Sequence, residues 1–265
     1  MSALVALLTD YGLEDTYVTQ LKAVILQMSA GVAFLDLSHS VAPQQVRSGA
    51  YLLSTAVPYL PEGSLVVAVV DPSVGMERRA VAVQAQRHTY LAPDNGLLSL
   101  ALRLDPPQTA VVLDNPRYHL PTVSATFHGR DIFAPACAHL LNGVPIERLG
   151  TPIDPAQLIT LSDLDAHWDG QRFECRPLHI DHFGNLILNL SEAQARQQIG
   201  NLDALQVQLD DGRTIPLKRT FGEVEWGAPV AYWGSSGHLE VAINGGSART
   251  TLRLNEASRV WVRAL

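Results

Sequence analysis

Residues Leu65 to Arg79, LVVAVVDPSVGMERR, constrain the fold more than any other stretch of the chain. Six apolar residues, four of them valine, run without a break into Asp71-Pro72, a Ser/Gly turn and Glu77-Arg78-Arg79. A continuous run this rich in β-branched residues suits a strand buried on both faces, as in a parallel sheet covered by helices. In such sheets ligands bind beyond the carboxyl ends of the strands, which is where Asp71 falls. Arg78 and Arg79 follow seven and eight residues later. Two readings stay open at this point: a structural Asp–Arg pair that pins a loop, or a polar pair that does chemistry.

The flanking sequence repeats the pattern. Residues 3–8 (ALVALL) are a compact apolar run ending in Thr9-Asp10-Tyr11-Gly12. Tyr17 to Met28 carries Val18, Leu21, Val24, Ile25 and Met28 on one helical face. Gly31 breaks that helix, Val32 to Leu37 forms a second strand, and Val46 to Leu60 a second helix closed by Pro58 and Pro61. The order β-α-β-α-β predicts a largely parallel sheet with helical crossovers. Ala80–Gln84 and Thr89–Ala92 read as a hairpin, Pro93-Asp94-Asn95-Gly96 as a turn. Leu97–Leu104 reads as a short helix, Ala110–Leu113 as a strand and Ile132–Leu141 as a helix. Residues 143–165, rich in Pro, Asp and Thr, have the composition of a linker. Beyond about residue 170, short strands alternate with Gly, Asn and Asp turns, which predicts a small all-β barrel or sandwich.

Composition narrows the function classes. With 265 residues, 47% of them hydrophobic, the chain has material for a large core, and its net charge of −7 argues against nonspecific binding to nucleic acid or anionic membrane. MSALVALLTDYG reads as a first strand rather than a signal peptide, and no stretch approaches the roughly 18 apolar residues of a membrane span. Cys137 and Cys175 lack metal-ligand spacing and form no disulfide framework, so a reducing cytoplasmic compartment is expected. Neither a GxGxxG nor a GxxxxGK[ST] phosphate cradle occurs, nor a Gly-x-Ser-x-Gly elbow, nor HExxH.

The polar candidates each carry two readings. Asp10 at a strand end suits a ribose diol, whose two hydroxyls can donate to one carboxylate; it suits equally a cap on the following helix, as do Glu14 and Asp15. His128, in Phe127-His128-Gly129-Arg130-Asp131, can donate or accept near neutral pH or be a locally bonded histidine, and His39 carries the same pair of readings. His179, Asp181 and His182 sit close in sequence, but no fourth ligand is near, so a polar clasp is expected and no metal. Tyr232 to Gly237 and Ile243 to Gly246 are turns with backbone amides suited to ligand contacts or to hairpins alone.

Six motifs in this order resemble the S-adenosyl-L-methionine (SAM) hydroxide adenosyltransferase family, the SAM hydrolases, related to the SAM-dependent fluorinase and chlorinase. They are Thr9-Asp10-Tyr11-Gly12, Asp71-Pro72-Ser73-Val74-Gly75 with Arg78, Ala92 to Gly96, Phe127 to Asp131, Asp181 to Asn185, and Ser235 through Asn244. The resemblance implies a Rossmann-like α/β domain over residues 1–160, a smaller C-terminal β-barrel-like domain over 161–265, and a homotrimer binding SAM between neighbouring subunits. It implies that Asp71, Arg78 and His128 position water, with Arg78 chosen over Arg79 by the family's spacing. Asp10 would hold the ribose diol and Phe127 line the pocket. Asp181 and Asn185, with Ser235 nearby, would hold the methionine end, and Phe183 with Asn244-Gly245 would frame the adenine. Two departures stand out: Ser73 where glycine is common, and Gln44 where the halogenases carry a tryptophan near the ribose.

The implied reaction is hydrolysis of SAM to adenosine and L-methionine without metal or redox cofactor. A sulfonium leaves as a neutral thioether and needs no general acid, so the protein's task is to place water in line with the C5′–S bond. Either His128 or Asp71 could take the proton. A halide nucleophile fits less well, because Asp71 would repel it, and the short turn at Gln86–His88 leaves no room for the fluorinase's insertion. A protein that binds SAM or adenosine as a sensor without turnover is the alternative from another class.

Overall fold

A computed structural model describes residues 3–202 and 205–264 of the chain. The backbone separates into two compact units, residues 1–161 and 162–265.

The first unit runs β1 (Ala3–Thr9), α1 (Tyr17–Met28), β2 (Val32–Ser38), α2 (Val46–Ala56), β3 (Leu65–Val69), β4 (Ala80–Ala85), β5 (Thr89–Pro93), α3 (Ala101–Leu104), β6 (Pro107–Val112), α4 (Ala134–Leu141) and β7 (Thr151–Ile153). Its seven strands form one sheet in the order β2-β1-β3-β5-β4-β6-β7. Strands β2, β1, β3 and β5 are mutually parallel; β4 is antiparallel to β5 and to β6, so β6 runs with the first four while β4 and β7 oppose them. The sheet is therefore largely parallel, as the β-α-β-α-β order predicts.

The opening strand explains the covering helices. Val67 and Val69 of β3 face one core, shared with Leu21 and Ile25 of α1 and Ala136 and Cys137 of α4. Val66 and Ala68, with Val70 just beyond the strand, face the other, shared with Leu53 of α2 and Ala101 of α3. A strand buried on both faces has no use for polar alternation, and each valine contributes on the order of 2 kcal/mol by leaving water.

Three local expectations change. The segment 143–165 is not a plain linker: Thr151–Ile153 pairs with β6 and closes the sheet edge. The helix expected from Leu97 begins only at Ala101, because Asn95 and Ser99 side chains hold Gly96–Leu100 in turns: Leu97 N–H donates to Asn95 Oδ1 and Ser99 Oγ to Gly96 O. The helix expected from Ile132 is α-helical only from Ala134, and Gly129–Phe133 forms a wider π-helical turn ahead of it.

The second unit holds β8 (His167–Trp168), β9 (Arg172–Cys175), β10 (Pro177–Ile180), β11 (Leu186–Ser191), α5 (Glu192–Ile199), β12 (Leu205–Leu209), β13 (Thr214–Pro216), β14 (Pro229–Trp233), β15 (His238–Ile243), α6 (Ala248–Thr251) and β16 (Val260–Ala264). Two sheets, β10-β11-β15-β14 and β13-β12-β16-β9-β8, enclose a core that includes Phe173, Leu188, Val207, Val241 and Val262. The unit is β-rich as expected, with α5 as an addition. That helix is capped by Ser191, whose Oγ accepts from Gln194 N–H, and buries only Ala195. Among the described residues no helix is long and apolar enough to cross a membrane.

Candidate active site

Strand β1 sits between β2 and β3, so the chain leaves it toward one side for β2 and returns on the other for β3. This makes the carboxyl ends of β1 and β3 a topological switch point, the place where open α/β sheets bind ligands. Thr9 and Val69 are paired in register there, which sets Asp10 and Asp71 side by side in space. Burial, and less strongly the Asp71 charge, raises the pKa of Asp10, while the Gln44 N–H bonded to its Oδ2 at 2.9 Å pulls the other way. Helix α1 begins at Tyr17 with Thr16 at the cap position, so Asp10, Glu14 and Asp15 do not cap it. That removes the cap reading for Asp10, whose carboxylate instead holds the Gln44 N–H.

Asp71, Arg78 and His128 are brought together. Arg78 Nε donates to Asp71 Oδ2 at 2.8 Å, and its Nη2 lies 2.5 Å from the same oxygen. The second Nη2 partner is His128 Nδ1, at 2.8 Å. Both members of the ion pair are nearly buried, at 7% and 5% side-chain exposure, so neither is a solvated surface charge. Arg78 also lies over the Phe133 ring, 5.7 Å from its centroid. Arginine has only donors, so His128 Nδ1 must accept and the ring hydrogen sits on Nε2. Burial, then the Arg78 charge, lowers the His128 pKa and keeps the ring neutral near pH 7.

This bonding leaves distinct groups available. Asp71 Oδ2 is taken up by Arg78, while among the described residues Oδ1 has only Ser73 Oγ at 3.4 Å. Ser73 thus leaves the Asp71–Arg78–His128 contacts in place and lies at the edge of hydrogen-bond range of Oδ1. Arg79 turns away: its Nε donates to Asp94 Oδ2 at 2.8 Å. Adjacent residues entering β4 point to opposite sides, so only one of the two arginines can reach Asp71.

Glycine lets the pieces close up. At Gly75, φ is +76° and a Cβ would run into the Ala125 carbonyl oxygen, so the 71–78 loop seats directly on the segment leading to His128. At Gly129 a Cβ would strike the Tyr11 hydroxyl. Phe127 is buried, edge-on to Tyr11 and Tyr17 at 5.5 and 5.1 Å between centroids, with the Arg130 guanidinium 5.0 Å from its ring. Asp131, fully buried, accepts from Ser124 N–H and Oγ and from Arg130, which overcomes burial and lowers its pKa. It thus holds the Ser124–Phe127 turn. His39 is buried and structural: its Nδ1 is 2.8 Å from Thr9 Oγ1 and its carbonyl accepts from Gly12 N–H. Tyr11, Asn95 and Asp131 lie in the sequence motifs without an assigned role, which only their three-dimensional partners reveal. Tyr11 has its hydroxyl pKa raised by burial and next by the charges of Asp10 and Asp71.

In the second unit, Phe183 and Asn185 line a cavity of about 400 Å³ with Phe221, Tyr232, Ile243 and Gly245. Asp181 and Asn185 clasp each other across the β10–β11 turn: Asp181 Oδ1 accepts from Asn185 N–H at 2.8 Å and Oδ2 from Asn185 Nδ2 at 2.9 Å. Asn244 donates to Val224 O at 2.8 Å and so holds the loop carrying Trp226, whose ring lies where a Cβ on Gly245 would be. Ser235 is not with this set. It occupies the β14–β15 turn, at the far end of those strands from Ile243, because the hairpin register places Trp233 opposite Leu239 and Pro229 opposite Ile243. Among the described residues no three His, Cys, Asp or Glu side chains gather as a metal site.

A two-layered switch-point site with an Asp–Arg–His cluster, joined in sequence to a β-rich second unit, matches a defined family of proteins. Residues 5–150 match the model of the SAM hydroxide adenosyltransferase N-terminal domain and residues 176–261 that of its C-terminal domain; the chain belongs to this family. A particular relative is the (R)-S-adenosyl-L-methionine hydrolase of Thermus thermophilus, 48% identical over 260 residues that cover 96% of each chain. A crystal structure of a conserved hypothetical protein from the same organism superposes with a TM-score of 0.81 at 46% identity, covering 99% of this chain and 100% of the other. More distantly, a fluorinase of an Actinoplanes species is 27% identical over 270 residues, 91% of each chain.

Proposed function

We propose that this protein hydrolyses SAM to adenosine and L-methionine, with water held by Asp71, Arg78 and His128 as the nucleophile. The observation that carries this reading is the closed hydrogen-bond chain from Asp71 through Arg78 to His128, beside Asp10 at the β1/β3 switch point. Water bonded to Asp71 Oδ1 attacks C5′ in line with the C5′–S bond. The O–C5′ bond forms, the C5′–S bond breaks, its electron pair stays on sulfur, and methionine leaves as a neutral thioether. The water proton passes to Asp71 Oδ1 and then to solvent. His128 is not the base in this arrangement, since its one lone pair is committed to Arg78 and its Nε2 can only donate. Because the leaving group is neutral, the reaction is written without metal or redox cofactor.

Asp10 takes the ribose diol and Phe127 lines the pocket. Phe183, Asn185 and Asn244-Gly245 receive the adenine and methionine ends, with Asp181 bracing Asn185. The family resemblance supports a homotrimer in which the second unit of a neighbouring copy supplies these residues. Ser235, on the β14–β15 turn, would meet a different part of the methionine end from Asn185. A cytoplasmic location accords with two cysteines that are both free and buried. The name of the 48% identical relative supports a sharper substrate, the (R) epimer at the sulfonium. The sulfur bears three different carbon groups and is a stereocentre, so a pocket that fixes the adenosine and methionine ends together accepts one placement of the methyl group.

The test is incubation of the purified protein with each SAM epimer, following adenosine and methionine by chromatography. Catalytic adenosine release, faster from the (R) epimer, is expected. Stoichiometric binding without turnover would identify a sensor, and 5′-chloro-5′-deoxyadenosine on adding chloride would identify a halogenase. Sedimentation at working concentration is expected to give three times the 28.8 kDa chain mass.

A further inference from the structure

We propose that Asn95 is a positioning residue for the water-holding pair, setting the place of Asp71 through the backbone of β3. The inference rests on the hydrolase reading above. Asn95 Nδ2 donates to Val70 O at 2.9 Å, and Val70 immediately precedes Asp71. Its other end is committed as well, Oδ1 accepting from Leu97 N–H at 3.2 Å. The Asn95 amide is thereby fixed in orientation, with its donor aimed at the end of β3.

The neighbouring residue grips the opposite end of the same loop. Asp94 N–H donates to Arg79 O at 2.9 Å, and Asp94 Oδ2 accepts from Arg79 Nε at 2.8 Å. Arg79 immediately follows Arg78. Two consecutive residues of one turn therefore hold the residue before Asp71 and the residue after Arg78, the two ends of the loop that carries the pair. Asp94 is itself buried, and its Oδ1 accepts from Ile159 N–H at 2.8 Å, so the turn cannot drift with the loop. With the far end held by Asp94 and Val70 itself buried in the second core, the Asn95 bond fixes the orientation of the Val70–Asp71 peptide, the last link before the carboxylate. A water aligned by Asp71 Oδ1 needs that constraint, because a misplacement of about 1 Å at a reacting group costs on the order of a hundredfold in rate.

Two variants separate positioning from turn formation. Asn95→Asp keeps an oxygen for the Leu97 N–H but replaces the donor facing Val70 O with an acceptor; Asn95→Ala removes both bonds. For each, kcat, KM for SAM and the thermal midpoint are measured on the full chain. In Asn95→Asp, kcat is expected to fall between about ten- and a hundredfold with KM within about twofold of wild type, and Asn95→Ala to behave alike. Recovery of wild-type kcat in Asn95→Asp would show that only the turn matters and would overturn the proposal, as would kcat and KM worsening together in both variants. Should Asn95→Asp not fold, Asn95→Ser, which keeps a side-chain oxygen near the Leu97 N–H but lacks the amide donor, is read by the same split. Wild-type protein that releases no adenosine overturns the hydrolase reading itself; an active wild type with an equally active Asn95→Asp overturns only the role of Asn95.

Discussion

At Asp71 the two carboxylate oxygens have different work. Oδ2 anchors the buried guanidinium of Arg78, and Oδ1, with Ser73 Oγ at 3.4 Å, is the oxygen the proposed mechanism gives to water. Asp71→Asn keeps an oxygen for Arg78 but is a far weaker base, so kcat should fall between about 100- and 10,000-fold with SAM still bound, read by single-turnover kinetics and equilibrium dialysis. Asp71→Ala is the harsher change, since it strands a buried arginine at a cost of about 3–5 kcal/mol. His128 supplies the pH signature. Its lowered pKa means that the unfolded chain takes up this proton before the folded one as pH falls. The stability it contributes is complete above about pH 6.5 and is lost as pH drops from there through the folded value. In activity, the acid limb of kcat/KM should lie below about pH 6.5, and His128→Asn, which keeps an acceptor for Arg78 but does not titrate, should lose that limb while retaining more activity than His128→Ala.

Among the elements, the π-helical turn Gly129–Phe133 does for His128 what the β3 loop does for Asp71. A turn wider than α shifts the side chains ahead of α4 and is a recurrent feature of functional sites. Its first residue has no room for a side chain beside Tyr11. Gly129→Ala should therefore displace Tyr11 or the turn and lower kcat at least tenfold, whereas Leu7→Ala in the buried middle of β1 should cost about 2–5 kcal/mol in urea unfolding with KM little changed. The contrast separates the strands, which store stability, from the loops at their ends, which carry chemistry.

For the whole molecule, each unit has its own core: the two faces of the sheet in the first, the space between two sheets in the second. The fragment of residues 162–265 should fold alone, giving dispersed NMR amide signals and a cooperative melt. The fragment of residues 1–161 should fold too, yet turn over no SAM, because the proposed adenine and methionine contacts are in the other unit. Measurable turnover by the first fragment would remove those contacts from the mechanism.

Much of the α/β core is legible in the chain, because β1, α1, β2, α2 and β3 have strong periodicity and Gly or Pro at their boundaries. Strand β7 is not legible: three residues with a central proline have no strand signal, and pairing with β6 alone creates them as a strand. Helix α5 is hidden for a different reason: it is short and mostly polar, with Ala195 its one buried residue and Ile199 packing at its end, and it is held by its Ser191 cap. Local sequence determined the strands and helices of the β1-α1-β2-α2-β3 stretch and their ends, since hydrophobic period and turn chemistry act over a few neighbours. It also placed Asp10 and Asp71 at carboxyl ends. What only the tertiary structure decided is which polar groups meet. The family resemblance named Arg78 and His128, but nothing local to either residue puts the guanidinium between the Asp71 carboxylate and the His128 ring, while Arg79 goes to Asp94. Ser235 lies away from Asn185 despite its place in the motif order. The physical reason is that hydrogen bonds depend on ångström-scale separation and donor direction, which strand register and loop closure set and which spacing along a chain does not.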